Sequence, residues 1–479
     1  MLVNQETIAH WSDEADVIVL GAGMAGTCAA IEACESGADV LLVERASGPG
    51  GTSALAGGHF YLGGGTPVQT ACGFEDSVEE MYKYLVAVSP EPEPAIIRAY
   101  CEHSVEHFHW LEAHGVEFER SYHPQKTVLQ AGKDCLIWSG NEKVWPYREQ
   151  ARPAPRGHKV AIEGDQGGAF AMRALSESAH NAGVRLVVDA RASALVIDAQ
   201  QRVVGVRLMM SGGPRDIRAR RGVVIATGGF NRNEELVARY IPQLAQVERQ
   251  GTLNDDGSGI LIGEAAGGET RHMHGTLITS PFYPDARLLK GIVVNTRGER
   301  FVAEDSYHGR TGAMTLAQPG SAAYLIVDAE IFAYPEYQCQ PLIDGWESIV
   351  EMETGLNLPP GSLQKTLADY NRHAANGADP VFHKYPDWLK PLDTAPFAAF
   401  DLTLGKAQYL CGLTLGGLRV SEHAEVLDSQ GVAIPGLYAA GSAASTIAQD
   451  GIGYASGTGL GQASFFGRRA GRHAGQRIA

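Results

Sequence analysis

Asp16-Val-Ile-Val-Leu-Gly-Ala-Gly-Met-Ala-Gly26 decides how the rest of this chain is read. A short apolar run ends in G-x-G-x-x-G, and a small-residue helical stretch follows to Ser36, where Gly37 stops it. A second apolar run, Asp39 to Val43, ends in Glu44. Strand, glycine turn, helix, strand and terminal acid form the setting that a dinucleotide fingerprint requires. Gly21 permits the tight turn, Gly23 lets backbone approach a pyrophosphate, and Gly26 lets the helix close onto the strand. Glu44 stands where an acid would bind a ribose hydroxyl. The pattern predicts a dinucleotide site without separating FAD from NAD.

Three further segments narrow the choice. Gly50-Gly-Thr-Ser53 leads into Ala54-Leu-Ala-Gly-Gly58, a second glycine-rich loop near the first. Arg221-Gly-Val-Val-Ile-Ala-Thr-Gly-Gly229 reads as a buried strand ending in a turn, and Ile434-Pro-Gly-Leu-Tyr-Ala-Ala-Gly441 as a late strand returning to the nucleotide domain. Together these motifs resemble the FAD-dependent fumarate reductase and 3-ketosteroid dehydrogenase family, from about Asp16 to Gly471. The resemblance implies an α/β chain, α+β overall, with a Rossmann-like FAD-binding domain over 1–270 and 412–479. An inserted substrate or cap domain over 271–411 interrupts it, where aromatics and prolines become frequent.

The resemblance also implies which residues hold non-covalent FAD. They are Gly21, Gly23, Met24, Ala25 and Gly26 in the first loop, then Glu44 and Arg45. Gly51, Thr52, Ser53, Gly57 and Gly58 follow in the second loop, with Ala192 beyond. Ala226, Thr227, Gly228 and Asp256 belong to the middle of the chain, and Gly441, Ser442, Gly459 and Leu460 to its end. Gly51 falls where some relatives attach flavin covalently through histidine, so no covalent link is expected.

Composition agrees with this reading. At 479 residues the chain is long enough for two cores. Its 44% hydrophobic and 20% charged residues are ordinary for a globular protein. A net charge of −16 argues against a nucleic-acid partner. Neither a leader peptide nor a membrane span is read, and seven cysteines (28, 34, 72, 101, 135, 339 and 411) form no C-x-x-C pair. A reducing cytoplasm is therefore expected. Cys101-Glu-His103-Ser-Val-Glu-His107-Phe-His109 is read as the polar face of an amphipathic helix, with Val105, Phe108 and Leu111 inward, so no metal is expected.

The chemistry is carried by Asp450-Gly-Ile-Gly-Tyr-Ala-Ser-Gly-Thr-Gly-Leu-Gly461. Dicarboxylate reductases of the family place an arginine before the Leu-Gly step; here Gly459 precedes Leu460. Tyr454 and Ser456 stand instead, and Tyr307 follows Arg297-Gly-Glu-Arg-Phe301. This combination resembles the 3-ketosteroid delta-4-(5alpha)-dehydrogenases, whose active sites hold two tyrosines and a serine. It implies proton loss from C4 to Tyr454 and hydride loss from C5 to flavin N5, with Ser456 and Tyr307 assisting, a 3-ketosteroid as substrate and an external electron acceptor. A delta-1-dehydrogenase, a reductase of another activated alkene and a non-catalytic flavin module are the alternatives. Glu304, Asp305 and His308 are rival bases, and Ser456 could equally be a helix N-cap. The pocket is expected to be mainly apolar with few or no arginines.

Overall fold

The computed structural model describes residues 1–128, 130–408 and 412–477. Cys411, and with it the expected boundary between the cap and the final segment, lies outside them. Five parallel strands form the centre of a nine-stranded sheet, in the order 433–439, 213–225, 13–20, 40–43 and 185–187. Val17 to Leu20 are 0–1% exposed, which is why this run is apolar without alternation. The carboxyl ends of four of these strands deliver Gly21, Glu44, Ala226 and Ala440 to one edge, the place where open α/β sheets bind ligands.

One part of the sheet departs from a strand–helix alternation. Arg191–Ile197, Val203–Met210 and Gly213–Ile225 form an antiparallel meander. The strand read from Arg221 begins at Gly213, and its two halves serve different partners. Residues 213–218 pair with 205–210, and from Ile217 onward the strand also pairs in parallel with 13–20, with an irregularity between Ala219 and Gly222. The charged Arg215, Asp216 and Arg218 hide this strand in the sequence, because they stand on its more exposed part.

Helix Met24–Glu35 packs along the last helix, Thr458–Gln476. Contact is close because Gly467 and Gly471 stand on Ala25 and Ala29: a Cβ on either glycine would run into a backbone carbonyl oxygen. Glu32, 6% exposed, ties the pair by accepting from Arg468 Nε at 2.8 Å and Arg472 Nε at 2.7 Å.

A second core draws its residues from 282–402, with Val128 added. Its sheet is antiparallel, in the order Ile292–Asn295, Ala323–Val327, Phe397–Asp401 and Leu342–Trp346. Helices Ile349–Gly355 and Ser362–Ala374 contribute Met352, Leu363 and Leu367 to that core. Two short strands, Thr276–Ile278 and Gly412–Thr414, pair between the two bodies. Among the described residues, no helix is long and apolar enough to cross a membrane.

The histidine-rich stretch differs from its expected form. His103 separates helices Pro94–Glu102 and Ser104–Ala113, so it does not share a continuous helical face with His107. His107 is fully buried, bonding Ser464 at 2.8 Å and Arg468 at 3.1 Å. Burial, with Arg468 adding to it, holds the imidazole far below its usual range and therefore neutral. Phe108 and Leu111 do point inward, while Val105 is only half-buried.

Candidate active site

A cavity of about 700 Å³ runs along the carboxyl edge of the parallel strands. At one end, here called the nucleotide end, the wall is mostly backbone and small side chains. Gly21, with φ +100°, makes a turn that only glycine adopts easily, and its N–H donates to Val43 O at 2.7 Å. Gly26 is not on the wall; it lies against Gly21 O, where a Cβ has no room. The Glu44 carboxylate accepts from Ala22 N at 2.8 Å and Ala46 N at 2.7 Å, which fixes it at the mouth of the glycine turn. Ser53 Oγ accepts from Met24 N at 3.1 Å, so the second glycine loop is clamped to the first.

The wall includes every expected cofactor residue except Gly26 and Asp256. Asp256 turns away to Arg45 Nη1 at 2.5 Å and accepts from Ser258 N at 3.0 Å. Its neighbour Asp255 takes the place on the wall, receiving the Thr52 hydroxyl at 2.5 Å. Burial raises the Asp255 carboxyl to about 6, against the bond from Thr52. An Asp-Asp pair does not announce which member faces inward.

At the other end, the tyrosine end, three distant segments meet. Tyr307 Oη and Ser456 Oγ are 2.9 Å apart, and the rings of Tyr307 and Tyr454 lie 6.5 Å apart at 30°. Tyr454 Oη accepts from Gly459 N at 3.3 Å, in the first turn of the 19-residue terminal helix. Although it stands among glycines, Tyr454 is buried, 8% exposed, and packs with Leu277, Tyr307, Leu415 and Ala448. Ser456 is not the helix cap. Gly457, with φ +98°, holds that position, which leaves the serine hydroxyl to Tyr307.

A loop with no sequence signature joins these parts. Asn141 Oδ1 accepts from Tyr307 N at 2.9 Å while its Nδ2 donates to Ile452 O at 3.1 Å, and Ser139 O accepts from Ser456 N at 2.8 Å. Asn141 is fully buried. One side chain therefore sets the spacing between the Tyr307 segment and the 450–457 loop.

The rival bases separate clearly. Glu304 is enclosed by Arg300 at 2.8 Å and Lys384 at 3.3 Å; burial opposes ionisation there, but these cations hold its carboxyl below the usual range. Neither Glu304 nor Asp305 reaches the cavity wall. His308 does, its ring centroid 4.0 Å from that of Tyr307, and burial, reinforced by Lys126, lowers it to about 3. It stays neutral at any ordinary pH. Among the described residues the wall holds two arginines, Arg45 and Arg191, which flank the Glu44 loop, and none stands with Tyr307, Tyr454 and Ser456.

The residues present fit an extended polar cofactor lying beside an apolar ligand. His59 Nε2, Thr227 Oγ1, Thr279 Oγ1 and both His308 ring nitrogens belong to residues of the wall and are buried without protein partners among the described residues. Buried polar atoms of this kind are normally hydrogen-bonded, so the site is built for a ligand that supplies the missing partners.

Residues 16–460 match a family model described as an FAD binding domain. The chain is 30% identical to 3-oxo-5-alpha-steroid 4-dehydrogenase of Comamonas testosteroni, over 90% of this chain and 93% of that protein. It is 42% identical to the 3-ketosteroid-delta4-(5alpha)-dehydrogenase of Rhodococcus jostii RHA1, whose crystal structure contains 4-androstene-3,17-dione, with a TM-score of 0.93 and 99% of each chain covered. The 3-ketosteroid delta1-dehydrogenase of Sterolibacterium denitrificans shares the fold at 20% identity, with a TM-score of 0.72 over 97% of this chain and 100% of that one. The chain belongs to the family of FAD-dependent fumarate reductases and 3-ketosteroid dehydrogenases. It is an FAD-dependent oxidoreductase of the ketosteroid dehydrogenase type.

Proposed function

We propose that this enzyme introduces the C4–C5 double bond into 3-oxo-5alpha-steroids, with Tyr454 as the base. The observation that carries the reading is the joint placement of Tyr307, Ser456 and Tyr454 on one apolar, arginine-free stretch of the cavity, with Tyr454 Oη bonded to a helix N-terminus. Support for the substrate class comes from the Comamonas and Rhodococcus relatives.

FAD, when bound, supplies the acceptor for the hydride that leaves C5. The C4 proton becomes removable because it is alpha to the C3 carbonyl, whose oxygen gains enolate character as the proton departs. Tyr454 takes that proton as phenolate. Gly459 N–H and the positive end of helix 458–476 stabilise the negative oxygen before transfer. Tyr307 and Ser456 carry two hydroxyl protons, one of which spans their 2.9 Å contact. We assign the second to proton relay from Tyr454 or to the developing enolate. The neutral His308 ring provides one further N–H donor on the same wall.

Gly21, Gly23, Met24, Ala25, Glu44, Arg45, Gly51, Thr52, Ser53, Gly57, Gly58, Ala192, Ala226, Thr227, Gly228, Gly441, Ser442, Gly459 and Leu460 would hold FAD non-covalently, with Asp255 where Asp256 was expected. The body around the second core, within 271–411, would act as the cap over the tyrosine end. The deciding experiment is anaerobic mixing of Tyr454→Phe with 5alpha-androstane-3,17-dione. The variant should retain flavin and lose rapid flavin bleaching. Normal single-turnover reduction would sink the assignment, and a delta-1 product from the unaltered enzyme would overturn its regiochemistry.

A further inference from the structure

Helix 458–476 borders a second cavity, of about 240 Å³, on its carboxyl-terminal half. His103 and Glu106 close it from one side, and His423 from the other. Three arginines, 468, 469 and 472, stand on the helix itself. Cations near a helix carboxyl end are ordinary complements to its dipole. The arrangement here goes beyond that, because the three arginines do not have equivalent partners.

Arg468 is saturated and structural: Glu32, Glu106 and His107 take its donors at 2.8, 2.8 and 3.1 Å. Arg472 leans on Glu32 alone and remains half exposed. Arg469 is half-buried and has no carboxylate within ion-pair distance among the described residues. Its Nε donates to Glu422 O at 2.5 Å and its Nη2 meets His423 Nδ1 at 3.1 Å. The carboxylates of Glu422 and Glu425 stand outside the lining, each 3.9 Å from an imidazole. Inside it, His423 and His473 stack with ring centroids 5.0 Å apart at 8°, forming a flat wall beside Arg469. Burial, with Arg472 and Arg468 nearby, makes the Arg469 cation harder to keep than usual, although Glu422 and Glu106 oppose this.

We propose that this cavity binds a small phosphate-bearing anion, gripped by Arg469 and Arg472 against the His423–His473 wall. Each guanidinium has its Nε–Nη2 edge engaged, Arg469 by Glu422 O and His423 and Arg472 by Glu32, and keeps the planar Nη1–Nη2 edge, whose remaining N–H groups suit the oxygens of a tetrahedral phosphate. The volume lies below the roughly 300–1,000 Å³ of drug-sized sites, which suits inorganic phosphate or a short phosphate monoester. Either source satisfies the same chemistry.

The test uses the FAD-loaded protein, so that phosphate cannot enter the nucleotide end. Equilibrium dialysis with labelled inorganic phosphate at constant ionic strength should reveal a single saturable site. Arg469→Gln should weaken binding about tenfold or more, equivalent to about 1.4 kcal/mol. Arg469→Lys should weaken it less, because the charge survives without the fork. Glycerol phosphate displacing the label at least as well as unlabelled phosphate would mark the monoester as the better ligand, and weaker displacement would mark the free ion; both support the site. Absence of saturable binding, equal binding by Arg469→Gln, or equal displacement by succinate would overturn the proposal. Should Arg469→Gln fail to fold, phenylglyoxal labelling of the unaltered protein decides. Phosphate should protect Arg469 and Arg472 but not the exposed Arg218, and equal labelling of all three refutes the site.

Discussion

The nucleotide end of the large cavity is walled by backbone from loops at the carboxyl ends of parallel strands. The tyrosine end is walled by side chains that arrive from residues 139–141, 307 and 454–456. At the first end, positions are set by strand register and by glycine geometry, and few side chains could be deleted with effect. At the second, each hydroxyl has one position because a particular partner holds it. The two ends should therefore fail differently: the first by losing shape, the second by losing chemistry while the shape persists.

The sharpest break is Tyr454→Phe, which should lower kcat by about 10²- to 10⁴-fold, the range for loss of a general base, with flavin content unchanged. Flavin absorbance of the purified variant and stopped-flow reduction measure the two halves of that statement. Gly471→Val tests the opposite failure. Its side chain would strike the Ala29 carbonyl, so the helix pair must separate, costing about 1–3 kcal/mol or more, with flavin lost as the protein is warmed. A thermal melt that follows flavin fluorescence reads both events. An unchanged melt would mean that the terminal helix does not clamp the glycine turn.

Asn141→Ala sharpens the comparison further, since Asn141 bonds both the Tyr307 segment and the 450–457 loop without lining the cavity. Leaving the Tyr307 N–H and Ile452 C=O without that partner, at about 1–3 kcal/mol for each buried group, should loosen the corner. We expect kcat to fall about ten- to a hundredfold with little change in flavin content, on the scale of 1.4 kcal/mol per tenfold. Asn141→Asp should restore the bond from Tyr307 N–H but not the one to Ile452, and recover part of the rate.

The smallest effect concerns acid. Burial holds His59 and His158 at about 4 and His308 at about 3, against 6.5 for an unfolded imidazole. Because the folded values are depressed, this contribution is complete above 6.5, is lost progressively as pH falls from there, and levels off at the folded values of about 4 and about 3. Urea unfolding midpoints should decline across that window, and His308→Gln should flatten the decline by its own share. A midpoint independent of pH there would mean that these rings gain protons in place.

The nucleotide end was readable because its information is local. G-x-G-x-x-G constrains backbone over six residues, and the flanking apolar runs state which elements it joins. Tyr454 and Ser456 stood out against the glycines around them, and Tyr307 was reachable only by its distance from Arg297 to Phe301. Asn141 was invisible, since a lone amide in a loop of mixed composition carries no period and its meaning lies wholly in tertiary contacts. The same reason explains Asp255 and Asp256, where a salt bridge to Arg45 decided which carboxylate turned away. His107 misled because helical spacing does not say which face is buried once a break falls at His103.

The pairing of helix Met24–Glu35 with helix Thr458–Gln476 also has a consequence in time. The ribosome releases the glycine turn and its helix long before their packing partner, which lies far downstream in the chain. Until then the alanine face of the early helix has nothing to rest on, and Tyr454 has no helix N-terminus to bond. Cofactor capture and completion of the corner formed by Tyr307, Tyr454 and Ser456 thus depend on a stretch of chain that emerges long after the glycine turn. A message truncated before that helix would yield a protein with most of its sheet and neither function.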